Sequence, residues 1–342
     1  MAWTGNLREP NLHWASLDSR SQLEATSRLA LGIQPRELRL LPLSGDRMQL
    51  LWLDRNTQSG SVLVGGTLTE GGELLRGPTE IGAAGQFSAV ALPIGSVAAL
   101  WTAPLVEGQK ASTLYLGRID AAGRPLQPVI VAKAAYLAAA ALDRQDRLHM
   151  AWFAPSVGSL WSLMYAVIPE KAIERGLHAA QIQQVGVVRM VEKGYLSDLQ
   201  LAVDEFAVYV LWAQEIVNVI ETSIQYNGLL FPLEAPQMAR PLPLNGLPAA
   251  LRDVQFIAGD PPAEGYPVLV GAAKDAVVAA AVTEQGIFRV RQIPIGQDET
   301  IAGVAASILS NTALHLAWVS TTPQGRGALY HTVIPLPQPA VR

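Results

Sequence analysis

The chain contains no cysteine, so disulfides, thiolate metal ligands and a cysteine nucleophile are all excluded. Charge is sparse as well, with Asp, Glu, Lys and Arg making up 16% of the residues and a formal net charge of -4 at pH 7. The 25 basic residues form no run suited to tracking a phosphate backbone, and nucleic acid is not an expected partner. No stretch reaches the roughly 18 apolar residues a membrane span needs, which leaves shallow peripheral contact as the only membrane reading. The first residues, Met1-Ala2-Trp3-Thr4-Gly5-Asn6, carry no apolar core of a signal peptide. Helical periodicity is nearly absent. The glycine pairs Gly65-Gly66 and Gly71-Gly72 precede no helix, so no phosphate-cradling loop and no cofactor are expected.

What the chain does have is apolar material, at 50% of its residues, arranged as a repeat. Six short phrases end at Trp52, Trp101, Trp152, Trp212, Val270 and Trp318, at spacings of 49, 51, 60, 58 and 48 residues. Between them lie strand-length runs cut by Gly, Pro and Asp; residues 87–92, 97–101, 112–119 and 126–131 show four strands in one repeat. The phrases are apolar on both faces, as a strand covered on both sides requires. A period of about fifty residues built from short strands predicts an all-β chain, a six-bladed β-propeller with four-stranded antiparallel blades, in one domain spanning 1–342. The repeats are read as 36–82, 86–132, 135–192, 195–243, 250–295 and 299–336. Residues 10–32 resemble the outer hairpin of a blade and are expected to complete the last one, closing the ring; as a blade in its own right this segment would make the count seven. Residues 169–180, with Pro at a helix start and early acids, read as a short helical insertion.

The phrases Leu148-His149-Met150-Ala151-Trp152 and Leu314-His315-Leu316-Ala317-Trp318, followed by Met164-Tyr165 and Leu329-Tyr330-His331, resemble repeats of the sialidase-like, BNR-type propellers. That family includes glycoside hydrolases, sugar-binding modules and inert scaffolds, and the resemblance favours an extracytoplasmic or cell-surface setting. Its Asp-box, Ser-x-Asp-x-Gly-x-Thr-Trp, is absent, and no arginine triad or Tyr/Glu nucleophile pair is recognisable. The resemblance therefore assigns no catalytic residue.

Two sets of residues remain as candidates. Asp54, Arg55 and Glu215 follow the tryptophan strands and would border an axial funnel, where a glycosidase places its carboxylates. The second set is apolar: Leu105, Val106, Val157, Leu160, Trp161, Ile216, Val217, Val219 and Ile220 sit at or near hairpin tips of repeats two to four, where polar residues are usual. The expected function is non-enzymatic docking of a protein partner through these tips; the alternative is a carbohydrate-active propeller, a glycosidase or a lectin, using the funnel. His149 and His315 occupy a repeat position that elsewhere holds Gln49, Ala98 and Tyr209, so they read as packing residues and no metal site is expected.

Overall fold

The computed structural model describes residues 2–4, 11–17, 23–30, 36–56, 60–69, 71–175, 182–190, 194–217, 222–248, 251–258, 266–309, 313–324 and 327–336, with the backbone alone up to residue 36. The described residues are strands, turns and short 3-10 segments. They divide into two compact units: residues 1–140, 152–155 and 166–182, and residues 141–151, 156–165 and 183–342.

In the first unit, β1 (Ala2–Thr4), β2 (Asn11–Leu17) and β3 (Leu23–Ala30) form a three-stranded sheet of their own. The predicted hairpin is there as β2 and β3, but β1 occupies the outer edge of β2. The next sheet is β4 (Arg36–Leu43), β5 (Arg47–Asn56), β6 (Gly60–Thr69) and β7 (Leu74–Ala83), in that order. Its first turn carries Gly45 and Asp46 at positive φ, a conformation that suits a two-residue hairpin loop. Period-two geometry sends Leu50 and Trp52 to one face and Leu51 and Leu53 to the other, where they meet Trp101 and Phe87 of the following strands. Those strands are β8 (Gln86–Leu92), β9 (Ser96–Thr102) and β10 (Ser112–Ile119). Trp101 stacks on Tyr115, directly opposite it, at 5.7 Å.

β11 (Val129–Leu142) is where the expected architecture and the structure part. The pattern predicts a break between the last strand of one repeat and the first of the next, near residue 133. Residues 132–135, Ala-Lys-Ala-Ala, contain no Gly or Pro, and the strand runs through for 14 residues. Its first half pairs with β10, from Leu116↔Val129 to Ser112↔Ala135. β12 (Arg147–Pro155), β13 (Leu160–Pro169) and β14 (Ile182–Arg189) follow, and β8 to β14 form one seven-stranded sheet. Six equal four-stranded blades are thus not what the ladders give. The sheets have three, four, seven, four, four and three strands in chain order. The expected helical insertion is a 3-10 segment, Glu170–Arg175, directly after β13.

The second unit holds three further sheets: β15 (Gly194–Val203), β16 (Ala207–Val217), β17 (Thr222–Pro232) and β18 (Arg240–Pro241); β19 (Arg252–Ile257), β20 (Val268–Ala272), β21 (Ala276–Thr283) and β22 (Gly286–Pro294); and β23 (Thr300–Leu309), β24 (Ala313–Thr321) and β25 (Gly327–Pro335). They stack face to face. Tyr209 and Leu211 of β16 pack on Phe256 and Leu269, while Val268, Val270 and Ala272 pack on Leu316 and Trp318 of β24. This corrects the alignment of Val270 with the tryptophans. Trp101 and Trp318 face the preceding sheet, but Val270 faces the following one; Leu269 and Gly271 share the tryptophan face. A slip of one residue in a strand exchanges its faces, and a strand buried on both sides gives no alternation to reveal it.

Short turns between the first two strands of a repeat are secured by aspartates. Asp204 Oδ1 accepts the backbone N–H groups of Phe206 and Ala207, both at 2.8 Å, and its Oδ2 accepts from the Tyr209 hydroxyl at 2.7 Å. Asp143 does the same for Gln145 and Arg147, and its Oδ2 takes bonds from Arg147 Nε at 2.6 Å and His149 Nε2 at 2.9 Å. The Tyr165 hydroxyl then donates to His149 Nδ1 at 2.6 Å, which fixes the tautomer of a neutral imidazole with its proton on Nε2. Burial pushes the His149 pKa down, against the pull of Asp143. Both ring nitrogens are thereby used within the core, as the packing reading of this position expects.

Candidate functional site

Inner strands of several sheets contain a bulge close to their first residues: in β4 between Arg36 and Arg39, in β15 between Leu196 and Asp198, in β19 between Arg252 and Gln255, and in β23 between Ile301 and Gly303. A bulge adds one residue and resets the alternation of faces. In β15 this has a chemical consequence. Tyr195 lies opposite Glu215, and Asp198 lies opposite Ala213, two residues away on the same face of β16. Without the extra residue at Ser197, Tyr195 and Asp198 would be on opposite faces. Tyr226 of β17 also lies opposite Ala213. One face of the β15–β18 sheet therefore collects Tyr195, Asp198, Glu215 and Tyr226 near one end, and it is the face that packs on β19 and β20.

Within this group the Tyr195 hydroxyl donates a short hydrogen bond to Glu215 Oε2. Gln200 Nε2 donates to Asp198 Oδ1 at 2.9 Å. The Tyr226 hydroxyl reaches the carbonyl of Leu251 at 3.4 Å, across to the start of β19. Leu251 is fully buried and pins the point at which the next two residues, Arg252 and Asp253, turn outward. Asp253 is a bulge residue with φ of 50°, a left-handed conformation that an aspartate adopts only at some expense of backbone strain. Burial pushes the Tyr226 hydroxyl well above the usual tyrosine pKa, and the charges of Asp198, Asp253 and Glu215 add to the effect. All three carboxylates thus lie within electrostatic reach of one phenol. Asp253 itself has an open side toward solvent but protein on its others; this partial desolvation raises its carboxyl pKa, while Arg252 opposes the shift.

A second polar group stands at the corresponding end of the last sheet. Glu299 accepts from the Ser320 hydroxyl at 2.6 Å through Oε2 and from the Tyr330 hydroxyl at 2.9 Å through Oε1. These bonds hold the Glu299 carboxyl below its ordinary pKa. Tyr330 stacks on Trp318 at 5.3 Å with the rings 12° apart, and it remains 37% exposed.

Of the funnel residues expected from sequence, Glu215 is in the cluster just described. Asp54 and Arg55 lie within β5, opposite Val62 and Ser61, in the other unit. Asp198 and Asp253 escaped sequence reasoning because bulges in β15 and β19, which follow no side-chain periodicity, decide where they point; Tyr195 and Tyr226 join them through the regular pairing of β16. The retrievable signal was Tyr195, 20 residues before an acid already singled out and at the start of the strand that pairs with it. Among the apolar tips, Val157, Val106, Leu105 and Val217 are 85, 61, 47 and 44% exposed, whereas Leu160, Trp161 and Ile216 are half-buried. Val157 sits in a tight turn in which Ser156 N–H bonds to the Leu160 carbonyl at 3.0 Å. The β16–β17 ladder continues to Val217↔Thr222, so Ile216 and Val217 are strand residues; Val219 and Ile220 lie outside the described residues.

No protein-family model and no curated relative matches this sequence. Solved structures do match in fold. A polysaccharide lyase described as an ulvan lyase of a new family superimposes with a TM-score of 0.61 at 8% identity, over 98% of this chain and 89% of that one. A protein of unknown function from Dyadobacter fermentans gives 0.59 at 11% identity, over 89% and 95%. The α-L-arabinanase of Penicillium chrysogenum, solved with arabinobiose, gives 0.52 at 8% identity, over 87% and 93%. The shared feature is an all-β, propeller-like fold. At these identities the likeness extends to the fold and not to the sialidase-like family in particular.

Proposed function

We propose that the chain is a carbohydrate-active propeller whose site is the Tyr195–Glu215–Tyr226–Asp253 cluster. The observation that carries this reading is the hydrogen bond from Tyr195 to Glu215, joined by a carboxyl on the next sheet, Asp253, whose pKa partial desolvation raises. Hydrolysis of a glycoside needs one carboxylic acid to protonate the leaving oxygen and a second group to meet the anomeric carbon; a tyrosine nucleophile backed by a glutamate is one documented solution. On this reading the Tyr195 oxygen attacks the anomeric carbon as its proton passes to Glu215, and Asp253 gives its proton to the departing oxygen. Water then cleaves the glycosyl–tyrosine bond, returning a proton to Asp253 while Glu215 returns its own to Tyr195. With the carboxylates Asp198, Glu215 and Asp253 all in electrostatic reach of Tyr226, the site favours a neutral sugar over an anionic one. That two of the matching structures are described as an ulvan lyase and an arabinanase supports the choice of carbohydrate. Screening a panel of neutral chromogenic glycosides together with a glycan array tests it: turnover or glycan capture is expected, and silence on both overturns it.

A second reading keeps the apolar tips as a docking surface for a protein partner, favoured by a valine, Val157, left 85% exposed at a turn. Leu105, Val106, Leu160, Trp161, Ile216 and Val217, with Val219 and Ile220, would supply the rest. Changing Trp161 and Val217 to Asp abolishes partner capture or self-association on this reading; association unchanged in a folded variant counts against it. We further propose that the β1–β3 sheet, which is separate from β23–β25, is a blade of its own, the seven-bladed alternative.

A further inference from the structure

A groove lies between the β19–β22 sheet and the β23–β25 sheet, bounded by Val268, Ala279, Ala281, Leu314, Ile334 and Leu336, with Arg289 and Arg291 beside it. Its wall is apolar, yet two guanidinium groups border it. Neither arginine has a carboxylate partner among the described residues; Arg289 rests 5.6 Å over the ring of Phe288. How they come to be there is a matter of backbone geometry. In β22, Phe288 lies opposite Ala281 and Arg291 opposite Ala279, so three residues on one strand span two on the other. Strict alternation would put Phe288 and Arg291 on opposite faces; the bulge puts both on the face that meets β24. Arg289 is the extra residue and is held at φ of 52°. For a long, unbranched cation this conformation is unfavourable, and such strain is retained where the surrounding structure aims the residue at a task.

The geometry points to a binding site for a small aliphatic monocarboxylate, its carboxylate held by Arg289 and Arg291 and its alkyl part laid against Leu314, Ile334 and the alanines of β21. Paired guanidiniums match a planar carboxylate by parallel N–H···O bonds, whereas the apolar wall rejects a fully hydrated anion such as phosphate. The cavity measures about 80 Å³. Beside a cavity of about 150 Å³ that holds benzene, that is room for about three or four non-hydrogen atoms, the alkyl part of butyrate, with its carboxylate at the arginines that border the groove. The inference is independent of the carbohydrate reading, since no residue is shared with the Tyr195–Glu215 cluster.

Calorimetric titration of the full chain with butyrate, butyramide and inorganic phosphate tests the site. Butyrate is expected to bind at least tenfold more tightly than either of the others. Arg289→Gly and Arg291→Ala are each expected to weaken butyrate binding at least tenfold. Because glycine adopts positive φ freely, Arg289→Gly keeps the bulge and should melt no lower than the parent chain. Equal binding of butyrate and butyramide, tighter binding of phosphate, no binding of butyrate, or undiminished binding in Arg289→Gly would each overturn the proposal.

Discussion

At the level of single residues, several of the molecule's buried polar side chains are answered by near neighbours in the chain. Asp143, His149 and Tyr165 form an unbroken series, with Arg147 bridging outward to Glu234 at 3.4 Å. Burial alone would raise the Asp143 pKa, but bonds from His149 and Arg147 overcome it and hold the carboxyl well below its ordinary value. Both Asp143 and His149 therefore bind protons less readily when folded than when unfolded. Their contribution to stability is complete above their unfolded pKa values and is lost as the pH falls, first for His149 below about 6.5 and then for Asp143 below about 4. Asp204 acts in the opposite sense, since burial raises its carboxyl. Replacing His149 by Gln, the residue that holds this position in the first repeat, should flatten the decline in unfolding free energy between about pH 7.5 and 5.5. A residual slope is expected from His331, whose pKa is also lowered by burial. Asp143→Asn should lower stability at neutral pH by about 3 kcal/mol, read by urea denaturation, because it leaves Arg147 without its buried anion. The composition of this series was visible in the sequence, since a position that accepts Gln, His and Tyr announces packing. Its partners were not, because Asp143 and Tyr165 reach His149 from a turn and from a neighbouring strand.

At the level of elements, the repeat was legible where a strand carries a large anchor and a breaker marks its end. β10 spans Ser112–Ile119 as the pattern predicts, because Asp120 and Gly123 close the turn that follows: Asp120 Oδ1 accepts the N–H groups of Ala122 and Arg124, both at 2.9 Å. β11 was misjudged because alanines neither break a strand nor mark its face. Bulges were invisible for a related reason, since they are set by backbone pairing. Neighbouring turns also pack more tightly than the sequence suggests. Gly95 has φ of 72°, and a Cβ there would collide with the Ser44 side chain and lie 2.6 Å from its backbone nitrogen. Gly95→Ala should accordingly destabilise the chain by more than about 1 kcal/mol, from strain and from the clash together. Trp101, buried between Leu51 and Tyr115, should be the more severe site: Trp101→Ala is expected to lower stability by roughly 3–5 kcal/mol. Thermal or chemical unfolding of the two variants checks both the values and their order.

At the level of the whole molecule, what the sequence conveyed was the class of fold: an all-β repeat chain covered on both faces of its inner strands. The partition into sheets was not legible, because it depends on whether a strand ends between repeats. If the β1–β3 sheet is a blade of its own, removing residues 1–32 should lower the melting temperature and expose apolar surface to dye; an unchanged melting temperature would refute that reading. The proposed function rests on one face of the β15–β18 sheet, where a bulge puts Asp198 on the face of Tyr195, Glu215 and Tyr226, with Asp253 in electrostatic reach of Tyr226. Its most direct test is the turnover of the best neutral glycoside by the wild-type chain, Tyr195→Phe, Glu215→Gln and Asp253→Asn, measured across pH. The account predicts that each substitution lowers kcat/KM by about 10²–10⁴-fold and that Asp253→Asn removes the alkaline limb of the profile. Full activity in folded Tyr195→Phe and Glu215→Gln would contradict it.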